Sequence, residues 1–157
     1  MKPDFSSSEV RRAGDWSGAF DHCKLTYDAR FLRRKVIHTL NDDPILVDLA
    51  QTTSLDHGDA LVLEDGRFVE IIAAREPLLE IKGDDLVRLA WHIGNRHTPC
   101  QIEAGRLLIL ADPVIGHMLE HLGATVTAIE EPFTPEGGAY GHGRTHSHEH
   151  GHTAHDH

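Results

Sequence analysis

Cysteine is nearly absent from this chain: Cys23 and Cys100 are the only two in 157 residues. That excludes a disulfide framework and leaves a reducing compartment acceptable. Long apolar runs are missing too. No stretch is long enough to span a bilayer, and the N-terminus from Met1 to Arg12 lacks the apolar core of a secretory signal, so a cytoplasmic location is expected. Positive charge is scarce: 15 Lys and Arg stand against 25 Asp and Glu, a formal charge of -10. Such a balance argues against a nucleic-acid or anionic-membrane partner and suits the attraction of cations. A Gly-rich phosphate loop, a Ser-His-Asp arrangement and a basic aromatic surface are likewise missing, and enzymatic activity is not expected.

What the chain has in excess is histidine. Half of its 14 histidines fall in residues 141–157, at His142, His146, His148, His150, His152, His155 and His157. The residues between them are Gly, Ser, Thr, Ala, Glu, Asp and Arg, which provide no apolar stripe to pack on a core, so this tail is expected to be disordered without metal. Near neutral pH most imidazoles offer a nitrogen lone pair, and alternating His-x-His in a flexible chain lets several rings converge on one ion. Imidazole suits Zn, Cu, Ni and Fe, so the tail predicts transition-metal binding without choosing the metal. An uninterrupted run would read as a purification tag; Glu149 and Asp156 break this one up.

The remaining sequence suits two small domains of α+β class. Residues 1–20 are polar and patternless and are expected to form a mobile extension. From residue 21 to 75, short runs of alternating or β-branched character (24–27, 35–40, 45–49, 60–63 and 68–73) predict an all-β domain. Asn41-Asp42-Asp43-Pro44 separates one pair of runs, and Asp65-Gly66 signals a tight hairpin. From 76 to 133 the pattern changes to strand, helix, strand, strand, helix, strand. A first helix opens at Asp84-Asp85 with Leu86, Leu89, Ala90 and Ile93 at helical spacing. A second has Asp112 as N-cap and Pro113 at its first position, and stops at Gly123. The βαββαβ order is the ferredoxin-like arrangement, which hosts many functions and decides none. Residues 134–157 are assigned to the flexible His-rich tail.

Three segments together narrow the reading: Trp91-His92-Ile93-Gly94-Asn95-Arg96-His97, the run Glu131-Pro132-Phe133-Thr134-Pro135-Glu136-Gly137-Gly138-Ala139-Tyr140-Gly141-His142, and the histidine-rich end. With Leu55-Asp56-His57-Gly58-Asp59 and Leu61 to Gly66 in the β half, they closely resemble the UreE-type urease accessory proteins, the nickel metallochaperones of urease maturation. The resemblance covers roughly Leu25 to the C-terminus. It implies an N-terminal β domain that contacts partner proteins or peptides, a ferredoxin-like metal-binding domain, a homodimer, and partners in the urease accessory GTPase and the urease apoprotein assembly complex. It also implies Ni(II) as cargo, held where two subunits meet by the histidine of Gly-Asn-Arg-His, here His97; Zn(II) or Cu(II) would also bind in vitro on residue chemistry alone. A twofold axis places the same residue of both chains side by side, so two His97 rings plus tail histidines would form a coordination shell.

Other histidines carry less. Without the resemblance, a lone histidine at a helix end reads as a cap on carbonyls. His92 and His97 are five apart and do not share a helix face. His117-Met118-Leu119-Glu120-His121 matches a zinc-protease pattern, with His117 and His121 one turn apart, but a domain this small lacks room for the further ligands and cleft; a polar helix face is the expected reading. Cys100 is expected in the core rather than as a thiolate ligand, and His22, His38 and His57 are assigned no role. Some members of the family carry extra metal-binding histidines just before the second helix; Leu110-Ala111-Asp112-Pro113 has none. The reading is therefore a dimeric nickel carrier working by ligand exchange. The alternative is a His-rich nickel or zinc buffer that delivers to no partner.

Overall fold

The computed structural model describes residues 5–137, and the chain splits into two compact units, Met1–Ala74 and Arg75–His157. The first is all β apart from a single 3-10 turn, Asp28–Arg30. Its strands are β1 (Phe5–Arg11), β2 (Ala19–Leu25), β3 (Phe31–His38), β4 (Pro44–Ser54), β5 (Ala60–Leu63) and β6 (Phe68–Ala73), in one sheet of order β2-β6-β5-β1-β4-β3. Just after β3 the Leu40 N–H bonds to the His22 carbonyl in the middle of β2 at 2.8 Å, tying the chain beyond one edge strand to the other. One face of the sheet closes over Cys23, Leu32, Ile45, Val47, Leu61, Val69 and Ile71, all buried. The Asp65-Gly66 turn joins β5 to β6 as its residues require, with Gly66 at φ +90°.

One expectation is corrected here. Residues 5–20 are not a mobile extension: β1 lies inside the sheet, parallel to β4 and antiparallel to β5, and β2 begins at Ala19. Phe5-Ser6-Ser7-Ser8-Glu9-Val10-Arg11 has too few apolar residues to advertise a strand, and it is held mainly by its backbone ladders on both sides. Ser7 is small enough to be buried where a larger polar residue would not fit. The loop that follows is tied down by Asp59. Its carboxylate, buried to 1% exposure, accepts from Arg12 Nη1 at 2.7 Å, from the Ala13 N–H at 2.9 Å and from the Asp56 N–H at 2.8 Å. Trp16 Nε1 adds a bond to the Gly58 carbonyl at 2.9 Å. The Asp56-His57-Gly58-Asp59 motif is therefore a structural clasp.

The second unit comprises β7 (Arg75–Lys82), α1 (Leu86–Asn95), β8 (Gln101–Ile102), β9 (Leu107–Leu110), α2 (Pro113–His121) and β10 (Thr125–Pro132). Sheet order is β10-β7-β9-β8 with every neighbouring pair antiparallel, the ferredoxin-like βαββαβ arrangement. Both helices bury one stripe on the same face: Leu89 and Ile93 from α1, Ile115 and Leu119 from α2, against Ile81, Leu107 and Ile109. Close contact with the sheet needs Gly116 in α2, where a Cβ would stand 3.1 Å from Leu79 Cδ1. Each helix starts on an aspartate: Asp85 accepts the Arg88 N–H at 3.1 Å, and Asp112 accepts the Val114 and Ile115 N–H groups at 2.9 and 3.3 Å. Arg106 bridges Glu80, Glu103 and Glu131 at 2.8–3.0 Å, linking β7, β10 and the β8–β9 turn. No helix among the described residues is long and apolar enough to cross a membrane.

Candidate metal centre

His97 sits directly beyond the end of α1, in a backbone state that only a few residue types tolerate. Arg96 is the C-cap, and His97 follows at φ +59°, in the left-handed region. Its N–H bonds to the Gly94 carbonyl at 2.9 Å, while the Thr98 N–H reaches the Ile93 carbonyl at 3.3 Å. Those two bonds define a Schellman motif, whose left-handed position is ordinarily glycine. A side chain there costs roughly 1 kcal/mol, less for histidine than for most residues. Pro99 keeps the chain from resuming the helix. His97 is exposed, so the turn presents an imidazole outward from a backbone fixed by hydrogen bonds on the helix end.

The same helix displays an apolar face that nothing in its own unit covers: Val87 is 83% and Trp91 63% exposed. Gly94 continues that face, with no atom within 4 Å of where its Cβ would be. A few residues beyond His97, Cys100 and Gln101 anchor the segment from Phe133 to Glu136. Phe133 is fully buried, the Thr134 N–H bonds to Gln101 Oε1 at 2.8 Å, and the Glu136 N–H bonds to the Cys100 carbonyl at 2.9 Å. The Cys100 thiol is pushed up to about 11, first by burial and then by the charge of Glu136. It stays protonated at neutral pH and packs against the α1–α2 core, which makes it a poor ligand.

Among the described residues, no group of three or more His, Cys, Asp or Glu side chains is placed to hold a metal ion. His97 thus has no completed shell within its own described chain. The tail residues His142, His146, His148, His150, His152, His155 and His157 lie outside the described residues. His117 and His121 are exposed on α2, His117 Nδ1 standing 3.8 Å from Glu120 Oε1, with no third ligand gathered around them. His22 faces Glu70 at 3.2 Å, and His57 Nδ1 accepts the Ala73 N–H at 3.1 Å, a structural bond. The anchoring of the tail by Cys100 and Gln101 has no signal in the sequence, because it runs through backbone groups and one glutamine.

Comparison with known proteins decides what this arrangement belongs to. Residues 8–74 match the N-terminal domain model of the UreE urease accessory proteins, and residues 76–157 match the C-terminal domain model. The chain belongs to the UreE urease accessory protein family. It is similar to the urease accessory protein UreE of Ruegeria pomeroyi, 66% identical over 142 residues that cover 90% of this chain and 95% of the relative. The UreE of Rhodobacter capsulatus is 56% identical over 92% of both chains, and that of Rhizobium meliloti 46% identical over 96% of both. Membership spans both units, and makes the chain an accessory protein of urease rather than the enzyme.

Proposed function

We propose that this protein is a dimeric nickel carrier for urease maturation that holds Ni(II) between two His97 rings and tail histidines, and surrenders it by ligand exchange to the urease accessory GTPase and the urease apoprotein assembly complex. The observation that carries this reading is His97 itself: an exposed imidazole on a strained, hydrogen-bonded turn, in a chain whose described residues gather no group of three or more ligands. Fewer than three ligands make a weak site, whereas a twofold axis doubles them and leaves positions open for exchange. The uncovered Val87-Trp91-Gly94 face runs along α1 up to His97, so burying it against its copy would bring the two rings together. The small residue at position 94 lets the two helices approach.

The tail can reach the same place. Cys100 is three residues beyond His97, at most about 11 Å along the chain, and Glu136 is bonded to it; the six residues from Glu136 to His142 span up to about 20 Å. Tethering of this kind gives tail imidazoles a local concentration in the millimolar range at the His97 pair. Calorimetric Ni(II) titration of the intact chain, a chain ending at Tyr140, and His97→Ala tests the reading. Truncation should remove several sites and leave one ion per dimer, held less tightly than in the intact chain, that His97→Ala abolishes. If His97→Ala changes nothing and all binding leaves with the tail, the protein is a His-rich buffer instead.

A further inference from the structure

The first unit carries a cationic feature out of keeping with a chain of net charge -10: Arg33, Arg34 and Lys35 are consecutive, and all three are exposed on β3. β3 is the last strand of its sheet, bonded to β4 on one side only. The Leu40–His22 bond joins it to β2 beyond its end, not along its length. Among the described residues, Arg34 alone of the three cations is in an ion pair, with Asp48 at 2.6 Å on the neighbouring strand. Lys35 lies opposite Val47 and, two residues from Ile37, on the core-facing side of the sheet. Val47 and Ile37 are buried while Lys35 is exposed, so its chain runs out past the open edge. The register shift between Leu32 and Arg34 leaves β4 residues 49–52 opposite Arg33, so the extra residues belong to β4 and the ladder is interrupted at Arg33. Val36 and Leu40 add exposed apolar surface, 42% and 56% exposed.

An inward-facing lysine is a device by which an edge strand repels unselected strands, a second copy of itself included. It does not repel every strand. A segment bearing carboxylates would neutralise Arg33 and Lys35 while its backbone pairs with the edge, so the feature that rejects neutral and basic strands selects an acidic one. A nucleic acid fits less well, because it has no backbone N–H to offer the edge and would meet the anionic remainder of the chain.

We infer that the β3 edge is a docking site for an extended, acidic peptide segment of a partner protein, taken up by strand addition and selected by Arg33 and Lys35. This goes beyond the nickel reading and does not rest on it. The test uses the full-length protein and a fluorescein-labelled alternating Glu–Val peptide, followed by anisotropy. Matched measurements use an alternating Lys–Val peptide and a single-stranded oligonucleotide of equal charge. The acidic peptide should bind, weaken with salt, and slow hydrogen exchange of the amides of residues 33–36. Arg33→Glu with Lys35→Glu should weaken binding about five- to tenfold, with far-ultraviolet circular dichroism unchanged. The milder pair Arg33→Gln and Lys35→Gln serves if reversal disturbs folding. Equal or tighter oligonucleotide binding, absent exchange protection in β3, or affinity indifferent to both variant pairs would each overturn the proposal. So would a change in the sedimentation of the protein alone in the Gln variants, which would make this edge an interface between copies.

Discussion

The two helices of the second unit end in the same hydrogen-bonded turn with different residues in its left-handed position. At the end of α2, Gly123 has φ +94°, its N–H bonds to the Glu120 carbonyl at 3.0 Å, and the Ala124 N–H bonds to the Leu119 carbonyl at 3.0 Å. At the end of α1 the same pair of bonds closes around His97. Glycine takes this conformation without cost and brings no chemistry; histidine brings an imidazole and accepts backbone strain. Strain kept at one of two equivalent positions is what the role proposed for His97 leads one to expect.

Several substitutions would break or sharpen that contrast. The largest effect belongs to metal binding: His97→Gly should lose the tight nickel site by calorimetry, while its Tm stays level or rises. Loss of the fold alongside the site would show that His97 is needed structurally. Next is Gly123→Ala, which should lower stability by about 1–2 kcal/mol in a urea melt. No atom lies within 4 Å of the added Cβ, so the loss reports backbone conformation alone. Gly123→His should cost less than alanine and create no tight nickel site, because α2 lacks an uncovered face like that of Val87 and Trp91 leading to it. At the other helix ends, Asp112→Ala should cost about 1 kcal/mol and Asp85→Ala somewhat less. The first loses bonds to two N–H groups and the second a bond to one.

Each unit has a carboxyl held low by hydrogen bonds, Glu131 by Arg106 in the second and Asp21 in the first. Burial, the largest single influence on Asp21, pushes its pKa up, but hydrogen bonds from Thr39, the His22 N–H and Asn41 together outweigh it and hold the carboxyl below the usual range. A folded-state pKa below the unfolded one means stability present above about pH 4 and lost as pH falls through the folded value. Asp21→Asn should therefore flatten the acid limb of the first unit's melting curve, a small effect read below about pH 4. Nickel release comes at higher pH: bound imidazoles must be neutral, so affinity should collapse from about pH 7 toward 5. An unchanged stoichiometry across that range would refute the ligand set.

Elements with strong local signals were legible in the sequence. Asp112-Pro113 and Gly123 bracket α2, Asp65-Gly66 makes the β5–β6 hairpin, and the apolar spacing of α1 buries Leu89 and Ile93. β1 was not legible, since Phe5 to Arg11 acquires its strand character from β4 and β5, which lie far along the chain. The candidate site divides in the same way. Histidine content and the Gly-Asn-Arg-His motif could be read directly, because ligand chemistry belongs to the side chain and needs no fold to be recognised. That His97 occupies a left-handed turn, that Glu136 is bonded to Cys100 three residues beyond it, and that β3 carries exposed cations on an edge are consequences of tertiary structure. Backbone hydrogen bonds between distant segments decide them, and such bonds use groups that every residue shares and no sequence displays.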